Sequence, residues 1–151
     1  MTRTDAQGHA LTGASARAAE AYDQALHQSL CFMGDPVATL RSGLEDSPGF
    51  VMGHAMMAWL HLLGTEPAGV PVARAALHEV EGVPATPRER AHLQAVRQMA
   101  DGHWHAATRT LEDLSIEHPR DVLALQAGHV LDFYLGRSRM LRDRIARALP
   151  A

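Results

Sequence analysis

GHWHAATRTLEDLSIEHP, residues 102–119, sets Gly102, Trp104, Ala107, Leu111, Leu114 and Pro119 at the spacings of the second half of a two-helix repeat. Units of this kind cannot bury their apolar faces alone and must stack on neighbours. The stretch therefore points to an architecture made of repeated helix pairs. It names no chemistry.

Composition sets the limits. A chain of 151 residues with 46% hydrophobic content is long enough and apolar enough for one packed core. The net charge of -3 speaks against a nucleic-acid binder, which would carry a basic excess. One segment departs from that balance: Arg137, Arg139, Arg142, Arg144 and Arg147 are accompanied only by Asp143, and they read as a solvated helix face. Cys31 is the single cysteine, so no internal disulfide and no cysteine-based zinc site is expected, and its apolar setting (LCFM) reads as an inert core position. The first residues, MTRTDAQGHALTGASA, lack the apolar core of a signal peptide, and no apolar run approaches the ~20 residues of a membrane span. The expectation is a soluble protein of the reducing cytoplasm.

Punctuation by Gly and Pro divides the rest into helices. Residues 1–13 read as a flexible tail, and residues 14–151 as one helical repeat domain. Helices are expected over 15–33, 36–46, 50–63, 72–80, 87–100, 103–117, 121–135 and 137–149. Asp35 with Pro36, Thr86 with Pro87 and Glu89, and Asp121 supply start signals. Phe50–Leu63 is apolar on nearly all sides and should lie between neighbours. Its Met52, Met56, Met57 and Trp59 read as core rather than as an adaptable surface. No segment alternates with period two, so no strand is expected. The glycines closing the first helix of each pair, Gly34, Gly64, Gly102 and Gly136, are 30, 38 and 34 residues apart. The expected fold is all-α: a right-handed stack of about four antiparallel helix pairs, a tetratricopeptide-like α-solenoid.

Three segments make the likeness more specific: PGFVMGHAMMAWLHLLGT (48–65), TPRERAHLQAVRQMADGHWHAATRTLEDLSIEHPRDVLAL (86–125) and GHVLDFYLGRSRMLRDRIARALP (128–150). Together with AAEAYDQALHQSL they resemble the N-terminal part of the tetratricopeptide repeat protein 38 family. Members of that family are longer helical-repeat proteins without an established activity. The resemblance implies that the array continues beyond Ala151, and that His54, His92 and His129 occupy sites where the family carries histidine.

In such an array the first helices of successive pairs line a concave groove. Alignment on the terminal glycines gives a lining that includes Gln24, Gln28, Cys31, His54, His61, His92, Met99, Gln126 and Phe133. No Lys, Arg or Asn clamp for a terminal carboxylate is among them. His129 falls where the repeat favours a small residue, so it is expected to be buried and hydrogen-bonded. His54 and His61 share a helix face about 10.5 Å apart at 1.5 Å per residue, too far to hold one metal without help from His92 or His129. His103 and His105 flank Trp104 at a helix start and point roughly 200° apart, so Trp104 reads as core. HExxH, GxxxxGK[ST] and GxSxG are all missing from the sequence.

These readings lead to a non-catalytic scaffold that binds an unknown protein or peptide in its groove, with no cofactor, metal, nucleic acid or membrane. The alternative is a metal-binding or enzymatic protein with a histidine-lined site in that groove. RSRMLRDRIARAL presents Leu141, Ile145 and Leu149 on one side, an uncapped face that suggests a homo-oligomer.

Overall fold

The computed structural model describes residues 3–151 and is helical throughout, apart from one short hairpin. The hairpin pairs β1 (Arg3–Thr4) with β2 (Ala10–Leu11), antiparallel, with Arg3 opposite Leu11. Eight helices follow: α1 (Ala16–Leu30), α2 (Pro36–Asp46), α3 (Val51–Leu62), α4 (Gly69–Glu79), α5 (Pro87–Ala100), α6 (Trp104–Glu117), α7 (Val122–Tyr134) and α8 (Ser138–Ala148). Each odd-numbered helix packs against the even-numbered helix after it. Further contacts join α1 and α2 to α3, α3 and α4 to α5, α6 to α7 and α6 to α8. Among the described residues, no helix is long and apolar enough to cross a membrane.

Local chemistry fixes the helix starts. Ser15, Asp35, Thr86 and Asp121 each accept a hydrogen bond from an amide in the first turn of α1, α2, α5 and α7. At α5 the arrangement is a full capping box, because Glu89 reaches back to the Thr86 amide. The glycine ends hold in three of four cases. Gly102 takes φ 82, and the His103 amide closes the helix on the Gln98 carbonyl at 2.8 Å. Gly34 and Gly136 also have positive φ, whereas at the end of α3 it is Thr65, with φ 57, and not Gly64.

The core runs along α3. Phe50, Met52, Met56 and Trp59 are fully buried, joined by Tyr22, Leu40, Leu111 and Leu131 from neighbouring helices. The methionines are therefore core. Close approach of α1 and α2 depends on Gly43, where a Cβ would meet the Ala21 methyl at 2.9 Å. Cys31, expected in the core, is exposed, because α1 ends at Leu30 and the chain turns there.

Two expectations need correction at the N-terminus. Residues 1–2 of the anticipated tail lie outside the described residues, but Arg3–Gly13 is a strap and not a frayed end, and it contains the two short strands. Asp5 shapes the turn by accepting the amides of Gln7 and His9. Leu11 is buried, the Thr12 amide and hydroxyl both donate to Glu89 at 2.8 and 2.7 Å, and the Thr12 carbonyl accepts the Val51 amide. The strap thus fastens to the first turns of α3 and α5. Gly13 lies so close to the 48–50 turn that a Cβ would be 2.2 Å from the Gly49 carbonyl oxygen, at a φ of 80. Gly13→Ala is expected to cost about 1–3 kcal/mol in urea denaturation, through overpacking and backbone strain. A loss near zero would show that the strap is not seated this way.

Candidate functional site

The buried polar groups converge where α3, α5, α7 and the strap meet. Arg88 sits in the first turn of α5, where a positive charge opposes the helix dipole and needs a partner. Asp121, the cap of α7, provides it. The Arg88 guanidinium donates to Asp121 Oδ2 at 2.7 Å and to the Ala10 carbonyl at 3.1 Å, with Asp5 at 3.9 Å. His92, one helical turn beyond Arg88, places Nε2 3.0 Å from the same Asp121 oxygen. Its other nitrogen, Nδ1, accepts the Trp59 indole N–H at 3.3 Å. An indole only donates, so Nδ1 carries no proton and Nε2–H donates to Asp121.

Electrostatics follow from this wiring. Burial alone would raise the Asp121 carboxyl, but His92, Arg88 and the Ala124 amide reverse that and hold it well below the usual carboxylate range. Burial, helped by the Asp121 carboxylate, pushes the Tyr22 phenol well above its ordinary value. The Asp–His pair has the form of a carboxylate-oriented general base. Yet the nitrogen that would take the proton is occupied by Trp59, and His92 is fully buried. The arrangement can fasten four elements together. It cannot reach a substrate in this state.

His118 closes the edge of this cluster. It stands perpendicular to His9, with ring centroids 5.6 Å apart, and the buried Nε2 of His9 has no hydrogen-bond partner. Burial first, then His9 and Arg88, hold His118 below the ordinary imidazole value, against the opposing pull of Asp121 and Glu117. A base depressed in the folded state binds protons more readily when unfolded. Its contribution to stability is therefore complete above about pH 6.5 and is lost as the pH falls from there through its folded value. The thermal midpoint is expected to fall between about pH 7 and about pH 5, and His118→Gln to remove part of that fall. An unchanged pH profile in the variant would count against this assignment.

The groove residues read from sequence meet different fates. His54 is buried with Nε2 2.8 Å from the Pro48 carbonyl, joining α3 to the turn before it. His92 is fully buried and spent as described. Met99 is buried and borders a cleft of about 160 Å³ with Leu62, Val70 and Trp104, which holds none of the other groove residues. Gln24 is exposed, while Gln28 folds toward Gly34 with its Oε1 buried and unpartnered. His61 and Gln126 are half-buried, and Phe133 is 67% exposed. His129 departs from expectation. It is only half-buried, and its buried Nδ1 has no hydrogen-bond partner. Among the described residues, no three His, Cys, Asp or Glu side chains are grouped to hold a metal ion. The four histidines are not brought together as a metal or acid–base site.

The basic last helix is also corrected. It is not simply a solvated face: Arg144 is 2% exposed, with its guanidinium over Gly128, and donates to Asp132 at 2.8 Å and to the Thr108 hydroxyl at 3.1 Å. Arg137 pairs with the same Asp132, and Arg147 with Glu112 on α6. Arg88, Asp121, Asp132 and Arg144 were missed as partners from sequence. The one local signal was an arginine directly after the first-turn Pro87, against the helix dipole. No protein-family model matches this chain, and no solved structure matches it.

Proposed function

We propose that this chain is a non-catalytic scaffold that binds another protein or peptide. Its helix pairs form a right-handed, tetratricopeptide-like solenoid related to the tetratricopeptide repeat protein 38 family, working in the cytoplasm. The observation that carries this reading is the use of the polar groups. The buried ionic clusters are spent on joining helices, whereas the end of α7 leaves aromatic surface free. Phe133 is exposed, and beside it the Tyr134 hydroxyl bonds the Leu63 carbonyl at 2.6 Å, tying α7 to the end of α3. Exposed aromatics held on a rigid helix end are the kind of anchor that protein interfaces use. A reducing compartment suits the exposed Cys31. The histidine-lined metal or catalytic alternative gains nothing from these contacts.

The test is affinity capture from the source cell with the wild type and with Phe133→Asp, which alters a solvent-facing side chain. A reproducible partner held by the wild type and reduced at least tenfold by the variant is expected. A partner held equally by both would overturn the groove assignment. Absence of any partner together with turnover of a small molecule would overturn the scaffold itself.

A further inference from the structure

The helix that buries Arg88 and His92 on one face carries Arg90, Gln94 and Arg97 on the other, all exposed. Residues seven apart lie on one side of a helix, so Arg90 and Arg97 stand in line, about 10.5 Å apart along its axis. Among the described residues neither is paired with a carboxylate, and Arg90 donates only to the neighbouring Ala85 carbonyl. The capping box at Thr86 and the buried pair of Arg88 with Asp121 fix α5 in place. Two free guanidinium groups are thus held on a rigid support.

Two clefts between α4 and α5 run along this stripe, of about 310 Å³ and about 430 Å³. They share Leu77, Glu81 and Arg97 in their walls, so they form one continuous channel. Leu77, Val80 and Leu93 give it an apolar floor, and Arg90 and Arg97 both wall the larger half. The other charges of the channel have partners. Arg74 and Asp101 pair at 3.0 Å, and Glu81 lies 3.1 Å from His78. Arg90 and Arg97 are the charges left uncompensated.

We propose that this channel binds an acidic, extended segment of a partner protein, with one carboxylate on Arg90 and one on Arg97. Arginine takes a carboxylate through two parallel N–H bonds, which suits the two exposed guanidinium groups. In a polyproline-type chain, three residues rise about 9.3 Å and return to the same side. Acidic residues three positions apart therefore match the spacing of the two arginines, while apolar side chains between them cover the floor. The chain as a whole carries a charge of -3, so an acidic segment gains nothing from its overall field and is held only where cations stand free. The channel contains neither Phe133 nor Tyr134, so this reading and the scaffold reading can fail separately.

Fluorescence anisotropy of the full chain tests it, with a short labelled peptide in which two glutamates three positions apart bracket Leu-Pro. This peptide is expected to bind at least tenfold tighter than its glutamine counterpart, and several-fold tighter than one of the same composition with adjacent glutamates. Binding should weaken between about 0.01 M salt, where the screening length is roughly 30 Å, and about 0.15 M, where it is roughly 8 Å. Arg90→Gln with Arg97→Gln should cost at least tenfold, whereas Arg41→Gln on α2 and Phe133→Asp should leave binding unchanged. Circular dichroism checks the fold of each variant, and Arg97→Gln alone, which breaks no hydrogen bond, serves if the pair misfolds. Failure of the wild type to bind the peptide overturns the proposal. So does equal binding of the glutamine peptide or of the peptide with adjacent glutamates. Binding that survives loss of Arg90 and Arg97, or that falls equally with Arg41→Gln, overturns it as well.

Discussion

Asp121→Ala is expected to lower global stability by about 3–5 kcal/mol, the cost of stranding a buried charge by removing its partner. Three losses coincide in this one substitution. Arg88, only 5% exposed, keeps its charge without the carboxylate at 2.7 Å. The His92 Nε2–H is left without an acceptor in a dry site, a penalty on the order of 1–3 kcal/mol. The α7 cap to the Ala124 amide also disappears, about 1 kcal/mol in similar helices. These terms overlap, so they are not summed. For a chain of this size the thermal midpoint should fall by roughly 6–20 °C. Because α3, α5, α7 and the strap all meet at the cluster, the loss should appear as one cooperative transition at lower denaturant. A shift below about 1 kcal/mol would mean that the cluster is wet or loosely held.

Asp132→Ala removes an equally buried carboxylate, yet the expected outcome is local. Arg144 loses its acceptor at 2.8 Å, and Arg137 loses one at 3.3 Å. Here the helix that carries the stranded charge is α8, which packs on α6 and α7. Undocking α8 returns Arg144 to water, so the damage is limited to the free energy of that undocking. Amide exchange in α8 should therefore accelerate at least tenfold, and trypsin should cut after Arg142 or Arg144, while amides of α3 and α5 stay protected. Gly128→Ala should give the same local signature, because a Cβ there would lie 2.6 Å from the Arg144 guanidinium. Equal acceleration across all helices would contradict this view of α8 as a separable unit.

The contrast explains what was legible in the sequence. Helix positions followed from short-range signals: apolar periodicity, Pro36 and Pro87 at helix starts, and the caps Asp35, Thr86 and Asp121. The strap was not legible, because strands of two residues have no period and its anchors lie far along the chain, Thr12 to Glu89 being 77 residues apart. Gly64 satisfied the spacing of helix-ending glycines, yet Thr65 holds the left-handed position. The polar clusters were hidden for a related reason. Trp59 and His92 are 33 residues apart, and His92 and Asp121 are 29 apart. Each had a sufficient local reading, as core, groove or cap, and only the packing of α3, α5 and α7 shows that they share protons. Likewise, the arginines of α8 looked solvated because their acceptors, Asp132 and Glu112, sit on other helices.

The central claim is that the buried charges serve as fasteners between helices. The double-mutant cycle of Arg88→Met and Asp121→Ala, followed by urea denaturation, tests it most directly. Cap loss and cavity effects appear in both arms of the cycle and cancel, leaving the coupling between the two charges. The account predicts a coupling of about 2–3 kcal/mol, with the double variant more stable than the sum of the single losses implies. Additive losses, with coupling below about 0.5 kcal/mol, would contradict it.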